Sequence, residues 1–336
     1  LDCGYCFYLD KSRLFGGKSN FRMPREVLEV YIKSYIESQP TPSVTFAWQG
    51  GEPTLLGLEF FETAVALQKR YASGKQVENA FQTNGVLLDD RWCAFLARNA
   101  FLVGISTDGP EELHDVYRTF KGGQPSFKAL LRALRLLKKH GVAFNTLCCV
   151  HKKNQDFPLA VYDFLRAEGS GYMQFIPVVE RLPGAEGSLD IGLAPEGQSQ
   201  DAVVAPFSVE PEAFGRFLCG IFDAWVQSDV GKVFVQHFDV ALESWVGLET
   251  SLCLFRKACG DALVIEHNGD VFSCDHFVFP EHRLGNILET PLLFLALGPK
   301  QRAFGLYKQR TLPAYCNACE VRFACNGECP KNRLAS

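Results

Sequence analysis

The chain has 336 residues, of which 47% are hydrophobic and 12% aromatic, enough for one large core or for a barrel plus a smaller domain. A formal charge of -4 and a pI near 6.0 give no basic footprint for nucleic acid. Apolar stretches such as 291–297 are far too short to span a bilayer, and the chain opens on Leu1-Asp2-Cys3 rather than a charged-then-apolar leader. We therefore expect a cytoplasmic protein with neither membrane nor nucleic acid as partner.

Cys3 and Cys6 form a C-x-x-C followed by Phe7 and Tyr8. Alone this spacing is weak, because redox dithiols and zinc knuckles share it. From about 44 to 178, strand-like and helix-like segments alternate: strands at 44–48, 77–82, 101–107, 144–150 and 173–178, helices at 58–71, 91–98, 127–140 and 159–167. The helix at 127–140 carries Leu130, Leu131, Leu134 and Leu137 with Lys and Arg on its other face. Such repetition predicts parallel strands with helical crossovers, hence an α/β barrel or a doubly wound sheet. Polar motifs recur where strands end: Gln49-Gly50-Gly51-Glu52, then Thr83-Asn84-Gly85, then Ser106-Thr107-Asp108-Gly109. Strand C-termini are where these folds place their chemistry.

From 180 to 207 the texture is Gly, Pro, Ser and acidic residues, which predicts a long loop, either substrate-facing or a linker. Helices at 211–227 and 234–245 follow, then a hairpin over 263–272 with Asn268-Gly269 at its turn. Beyond it we expect little regular structure and a small domain stapled by metal.

The thirteen cysteines are unevenly placed: two at the start, seven between Cys253 and Cys329, and Cys93, Cys148, Cys149 and Cys219 between those groups. Clusters with short internal spacings are metal-ligand arithmetic, and disulfides or zinc are the alternatives. The four intervening cysteines read as buried structural residues.

Cys3, Cys6 and Gly50-Gly51-Glu52, joined by Ser106-Thr107-Asp108-Gly109-Pro110, His114-Asp115, Tyr117-Arg118 and Gly122-Gly123, resemble the radical S-adenosylmethionine superfamily. Thr107 departs from the Leu usual there. The resemblance implies a partial (β/α)6 barrel in the α/β class. Cys3 and Cys6 match the last two cysteines of the C-x3-C-x2-C fingerprint. The first would fall four positions before Cys3, so we expect a truncated chain lacking that ligand and a first strand. Three thiolates on a [4Fe–4S] cube leave one iron open. In the family, that iron takes S-adenosylmethionine, with Gly50, Gly51 and Glu52 at its amino group and Ser106 and Arg118 at its carboxylate. A strand-to-helix turn with a solvated Glu is the alternative for Glu52. Thr83 and Asn84 either orient the cofactor or merely end a strand.

Cys259-x9-Gly269-x4-Cys274 followed by Cys316-x2-Cys319-x5-Cys325-x3-Cys329 resembles the SPASM domain. That implies two more [4Fe–4S] clusters, one on Cys253, Cys259, Cys274 and Cys329, the other on Cys316, Cys319 and Cys325 with a fourth ligand beyond Ser336. Three clusters are thus expected in a full-length protein. The implied division is a barrel at 1–207, a helical link at 208–252 and the SPASM domain at 253–336.

Tyr8, Gln49 and Asp275 match substrate-facing positions of the anaerobic sulfatase-maturating enzymes, a resemblance that runs from Cys3 through Gln174-Phe175-Ile176-Pro177 to Cys329. It implies oxidation of a Cys or Ser in a sulfatase Cys/Ser-x-Pro/Ala-x-Arg motif to Cα-formylglycine through a 5′-deoxyadenosyl radical. Asp275 would take the heteroatom proton. A flavodoxin or ferredoxin would supply electrons, under anaerobic conditions. The alternative for Asp275 is a solvated loop carboxylate or a hydrogen bond to the hairpin. The competing functions are a maturase forming thioether crosslinks in another ribosomal peptide and a zinc-stapled binding protein without catalysis.

Overall fold

The computed structural model describes residues 1–6, 8, 15, 21–182, 203–260 and 262–333. Its first part alternates helix and strand: α1 (Arg25–Ser38), β1 (Ser43–Trp48), α2 (Leu58–Tyr71), β2 (Gln76–Thr83), α3 (Asp90–Arg98), β3 (Phe101–Thr107), α4 (Phe127–Lys139), β4 (Phe144–Val150), α5 (Pro158–Glu168) and β5 (Tyr172–Pro177). After α6 (Pro211–Ser228), the short β6 (Phe234–Val235) pairs with β5 and α7 (Gln236–Trp245) follows. All six strands of this sheet are parallel and lie in chain order, the partial barrel that the family resemblance implies and one of the two arrangements the alternation allowed.

The period-2 pattern explains which face packs. On β1, Val44, Phe46 and Trp48 are buried while Thr45 and Ala47 are exposed. The buried face meets the apolar stripes of the helices. Phe127, Leu130, Ala133, Leu134 and Leu137 of α4 fall at helical spacing and all lie buried. Phe46, Phe61, Phe81 and Phe101 are each at most 1% exposed, and burials of that size contribute about 1.5–3 kcal/mol apiece. Cys93 sits in this core and Cys148 in a second one with Tyr162, Phe175, Phe217 and Ile221, whereas Cys149 is only partly buried and Cys219, on α6, is exposed, which corrects the expectation that all four are buried. The stretch 208–252 adds both β6 and α6 to that second core, through Val235, Phe217 and Ile221. The opposite face of the sheet, with Ala47, Gln82, Ser106, Cys149 and Gln174, stays partly open.

The expected hairpin forms as β7 (Val264–Ile265) and β8 (Asp270–Phe272), with Gly269 at φ +87° in the turn. It acquires a third antiparallel strand, β9 (Arg283–Asn286). The expectation of little regular structure beyond it is corrected by α8 (Leu292–Leu297) and α9 (Pro299–Arg310). Val271, Ile287 and Leu295 pack on Val27 of α1, whose Leu28, Ile32 and Ile36 face the barrel core, so α1 joins the two regions. Of the loop expected over 180–207, most falls outside the described residues; its flanks, Arg181–Leu182 and Val203–Val204, pair antiparallel.

Candidate active site

Three motifs converge at the C-terminal ends of the strands. After β1, Gly50 and Gly51 take φ values of +96° and +55°, which only glycine adopts without strain. The Glu52 carboxylate is tied to both strand ends. Its Oε1 accepts from the Thr54 N–H (3.2 Å), the Thr54 hydroxyl (2.6 Å) and the Thr83 hydroxyl (2.7 Å), and its Oε2 accepts from the Asn84 N–H (2.9 Å). Thr83 and Asn84 therefore bind Glu52 as well as ending β2. Ser106 is half-buried on β3, alternating with the buried Ile105 and Thr107 on the opposite face.

Asp108, itself fully buried, is the centre of a polar network. Its Oδ1 lies 2.9 Å from Arg118 Nε and accepts from the Cys149 N–H at 3.2 Å. Its Oδ2 accepts from the Tyr5 hydroxyl at 2.5 Å and lies 3.5 Å from His151 Nε2. Burial alone would raise the Asp108 pKa, but Arg118 and His151 outweigh it and hold the carboxyl well below its usual range. Burial lowers His114 to about 4, so its ring is neutral, with Nδ1 facing the Asp108 N–H at 3.4 Å. Arg118 also stands over the Tyr5 ring at 5.6 Å and reaches the Cys149 sulfur at 3.5 Å. Tyr5 lies inside the Cys3–Cys6 loop, which is further pinned by the Gly4 N–H on the Tyr117 carbonyl at 3.1 Å. One carboxylate thus connects the amino-terminal cysteines to the arginine of the third motif.

The Gln49 side chain, at the end of β1, donates to Asp275 Oδ2 at 3.1 Å, closing 226 residues of sequence. Asp275 Oδ1 accepts from the His276 N–H at 2.9 Å and from the Cys274 thiol at 3.3 Å. Tyr8 lies here too. Burial, then the charges of Asp275 and Cys6, push its phenol far above the ordinary value, so it stays a neutral donor. The three residues matched to a substrate-facing role are therefore brought together from both regions of the chain.

None of the thirteen cysteines is in a disulfide. Cys253, Cys259 and Cys329 all act electrostatically on the ammonium of Lys308, Cys329 acts on Cys274, and Cys253 and Cys259 act on Cys329. Cys316 acts on Cys325. Burial raises the thiols of Cys253 and Cys325, raises Cys329 to about 12 with Glu328 adding to it, and raises Cys274 further still with Asp275 adding to it. Thiols from separate loops held within electrostatic reach of one another are poor thiolates without a cation between them, so this donor set fits a cationic metal group. Cys3 is likewise raised by burial, and Arg118 offsets part of the rise.

The sequence did not reveal what scaffolds the carboxy-terminal cysteines. One face of α9 presents Gln301, Gly305 and Lys308 at i, i+4 and i+7. Gln301 Nε2 donates to the carbonyls of Gly260 (2.9 Å) and Ser273 (3.1 Å). Gly305 accepts the Cys259 N–H at 3.1 Å, and a Cβ there would stand 2.4 Å from the Cys259 carbonyl. Lys308 Nζ donates to the carbonyls of Cys253 (3.0 Å) and Leu254 (2.6 Å). The available signal was helical spacing of polar and small residues rather than apolar ones. Asp108, Tyr5 and His151 were missed as a set because only the fold brings them together.

Residues 1–165 match the Radical SAM superfamily, and residues 253–320 match SPASM, an iron-sulfur cluster-binding domain. The class is therefore a radical S-adenosylmethionine protein with auxiliary iron–sulfur ligands. The serine-type anaerobic sulfatase-maturating enzyme of Bacteroides thetaiotaomicron is 46% identical over 335 residues, covering 100% of this chain and 80% of that protein. The cysteine-type enzyme of Clostridium perfringens is 33% identical, covering 99% and 86%. The structure of native anSMEcpe with bound AdoMet and the Cp18Cys peptide superposes with a TM-score of 0.86 at 32% identity, covering 100% of this chain and 87% of that one. The chain belongs to the anaerobic sulfatase-maturating enzymes.

Proposed function

We propose that this protein oxidises a Cys or Ser side chain of a sulfatase polypeptide to Cα-formylglycine, with Asp275 as the proton acceptor. The hydrogen bond between Gln49 and Asp275 carries this reading. It sets a carboxylate from the cysteine-rich region over the strand end that leads into Gly50-Gly51-Glu52. The two family matches, and relatives of both serine and cysteine type, support it.

Cys3 and Cys6 would hold part of the cluster that engages S-adenosylmethionine. Cys253, Cys259, Cys274 and Cys329 would hold one auxiliary cluster, and Cys316, Cys319 and Cys325 part of another. When bound, these groups supply the one-electron carriers and the carbon radical that accepts a hydrogen atom. The remaining work falls to side chains. Gly50 and Gly51 let backbone approach the cofactor's amino group while Glu52 balances its charge. Ser106 and Arg118 take its carboxylate, Arg118 through its outer nitrogens because Nε faces Asp108. Gln49 and the His276 N–H hold Asp275 as an acceptor for the target's thiol or hydroxyl proton, and Tyr8 remains a neutral donor beside it. Losing two hydrogens turns serine directly into formylglycine; for cysteine, water then replaces the sulfur.

The division at 207 and 253, a flavodoxin or ferredoxin as electron source, and action in the cytoplasm belong to the same proposal. Among the described residues, no helix is long and apolar enough to cross a membrane.

The test incubates anaerobically reconstituted protein with peptides carrying Cys-x-Pro-x-Arg or Ser-x-Ala-x-Arg. The expected product has the mass of an aldehyde side chain and reacts with a hydrazide probe. Cofactor cleavage with an unchanged peptide, or with a hydrazide-silent crosslinked one, refutes the assignment.

A further inference from the structure

Lys308 and Gln301 lie on one face of α9 and perform the same structural task. Each bridges two backbone carbonyls of the loops that carry the carboxy-terminal cysteines, Gln301 those of Gly260 and Ser273, Lys308 those of Cys253 and Leu254. Gln301 shows that a neutral amide suffices for bridging. Lys308 adds a charge, and it does so at 0% exposure, whereas lysines ordinarily bury only the stem and keep the ammonium in water. A buried ammonium is a costly way to satisfy two carbonyls.

The surroundings say what the charge faces. Cys253, Cys259 and Cys329 all act on Lys308, and Cys253 supplies one of its carbonyl acceptors. Other cations stand nearby: Arg333 donates to Lys308's own carbonyl at 2.7 Å, Arg256 acts on Cys253, and Lys331 acts with Lys308 on the Glu328 carboxylate, which is a partial offset. Asp275 acts on Cys253 from the active-site side. An iron–sulfur cluster on four thiolates is anionic, and one-electron reduction makes it more so. A fixed cation in a low-dielectric surround stabilises the more negative state.

We propose that Lys308 is a positioning residue for electron flow: its buried positive charge raises the reduction potential of the auxiliary cluster held by Cys253, Cys259, Cys274 and Cys329, making that cluster a better electron acceptor. The proposal rests on the reading that these four cysteines hold a cluster.

The experiment is an anaerobic redox titration followed by electron paramagnetic resonance, with iron analysis, on the full chain carrying Cys3→Ala and Cys6→Ala so that auxiliary clusters dominate the signal. Lys308→Gln keeps an N–H donor for the two backbone carbonyls and removes the charge. It should retain its iron while its reduction equilibrium constant falls at least tenfold, which is a downshift of about 59 mV for a one-electron couple. Lys308→Arg should return the potential towards that of the parent. Gln301→Lys, which adds a second cation on the same face, should shift it upward, and this variant decides the matter should Lys308→Gln lose iron. An unchanged potential in an iron-replete Lys308→Gln or Gln301→Lys protein overturns the role of Lys308. If Cys259→Ala costs no iron, the cluster reading itself fails.

Discussion

The barrel and the cysteine-rich region solve the same problem, holding loops at a fixed geometry, with different materials. In the barrel, rows of Phe, Leu, Ile and Val from alternate strand positions pack on helical stripes, and the strand ladders satisfy the backbone. After Cys253 the buried apolar set shrinks to residues such as Val271, Ile287 and Leu295. There Gln301, Lys308 and Asn326 bond carbonyls of the cysteine-bearing loops instead, Asn326 on Phe255 at 2.8 Å. A core of transferable apolar groups tolerates local change. A set of loops tied by individual polar contacts and by sulfur does not.

Cysteine substitutions should separate the two regions most sharply. Cys259→Ala should abolish the auxiliary cluster, read as lost iron. Cys93→Ser, wholly buried in the barrel core, should keep all its iron and cost about 1–3 kcal/mol of stability by burying a hydroxyl. Next in size, Asp275→Asn should lower peptide oxidation by about 10²–10⁴, the range for a lost acid–base group, while cofactor cleavage continues. Chromatographic counting of 5′-deoxyadenosine against formylglycine checks this.

Gly305→Ala should be felt in the cysteine-rich region alone. Its Cβ would stand 2.4 Å from a backbone carbonyl, and the forced shift should cost about 1–3 kcal/mol and part of the iron, with far-ultraviolet circular dichroism little changed. In the barrel, Asp108→Asn should destabilise in a pH-dependent way. Because the folded carboxyl titrates lower than the unfolded one, its stabilisation is present above about pH 3.9, the unfolded value, and fades as pH falls from there through the folded value. The stability gap between parent and variant should accordingly narrow on acidification. A constant gap would assign the loss to packing instead. Smallest of all, Gln49→Ala removes one exposed hydrogen bond to Asp275, and should weaken peptide oxidation by about 2- to 10-fold, equivalent to roughly 0.5–1.5 kcal/mol.

How much could be read in advance follows the same division. The strands Phe101–Thr107 and Phe144–Val150 and the helix Leu58–Tyr71 have the bounds that their periodicity predicts, since each buries one clean face. The Asn268-Gly269 turn was legible because its chemistry is local. By contrast, α1 buries Val27 towards the cysteine-rich region and Leu28, Ile32 and Ile36 towards the barrel, so it shows no single stripe. α9 escaped because the face it buries is polar, and β6 because two residues carry no period. Among site residues, Cys, Gly-Gly-Glu and the Asp108 motif were visible as spacings. The contact of Gln49 with Asp275 and the meeting of Tyr5, Arg118, Cys149 and His151 around Asp108 exist only once the strands are ordered.

Label transfer is the most direct probe of a chemistry that joins these two regions at Asp275. A sulfatase-type peptide deuterated at Cβ of its target Cys or Ser is incubated with reconstituted protein and S-adenosylmethionine, and the 5′-deoxyadenosine is weighed. Deuterium is expected in that product, in step with aldehyde formation in the peptide. Cofactor cleavage that leaves all the label on the peptide would contradict that chemistry.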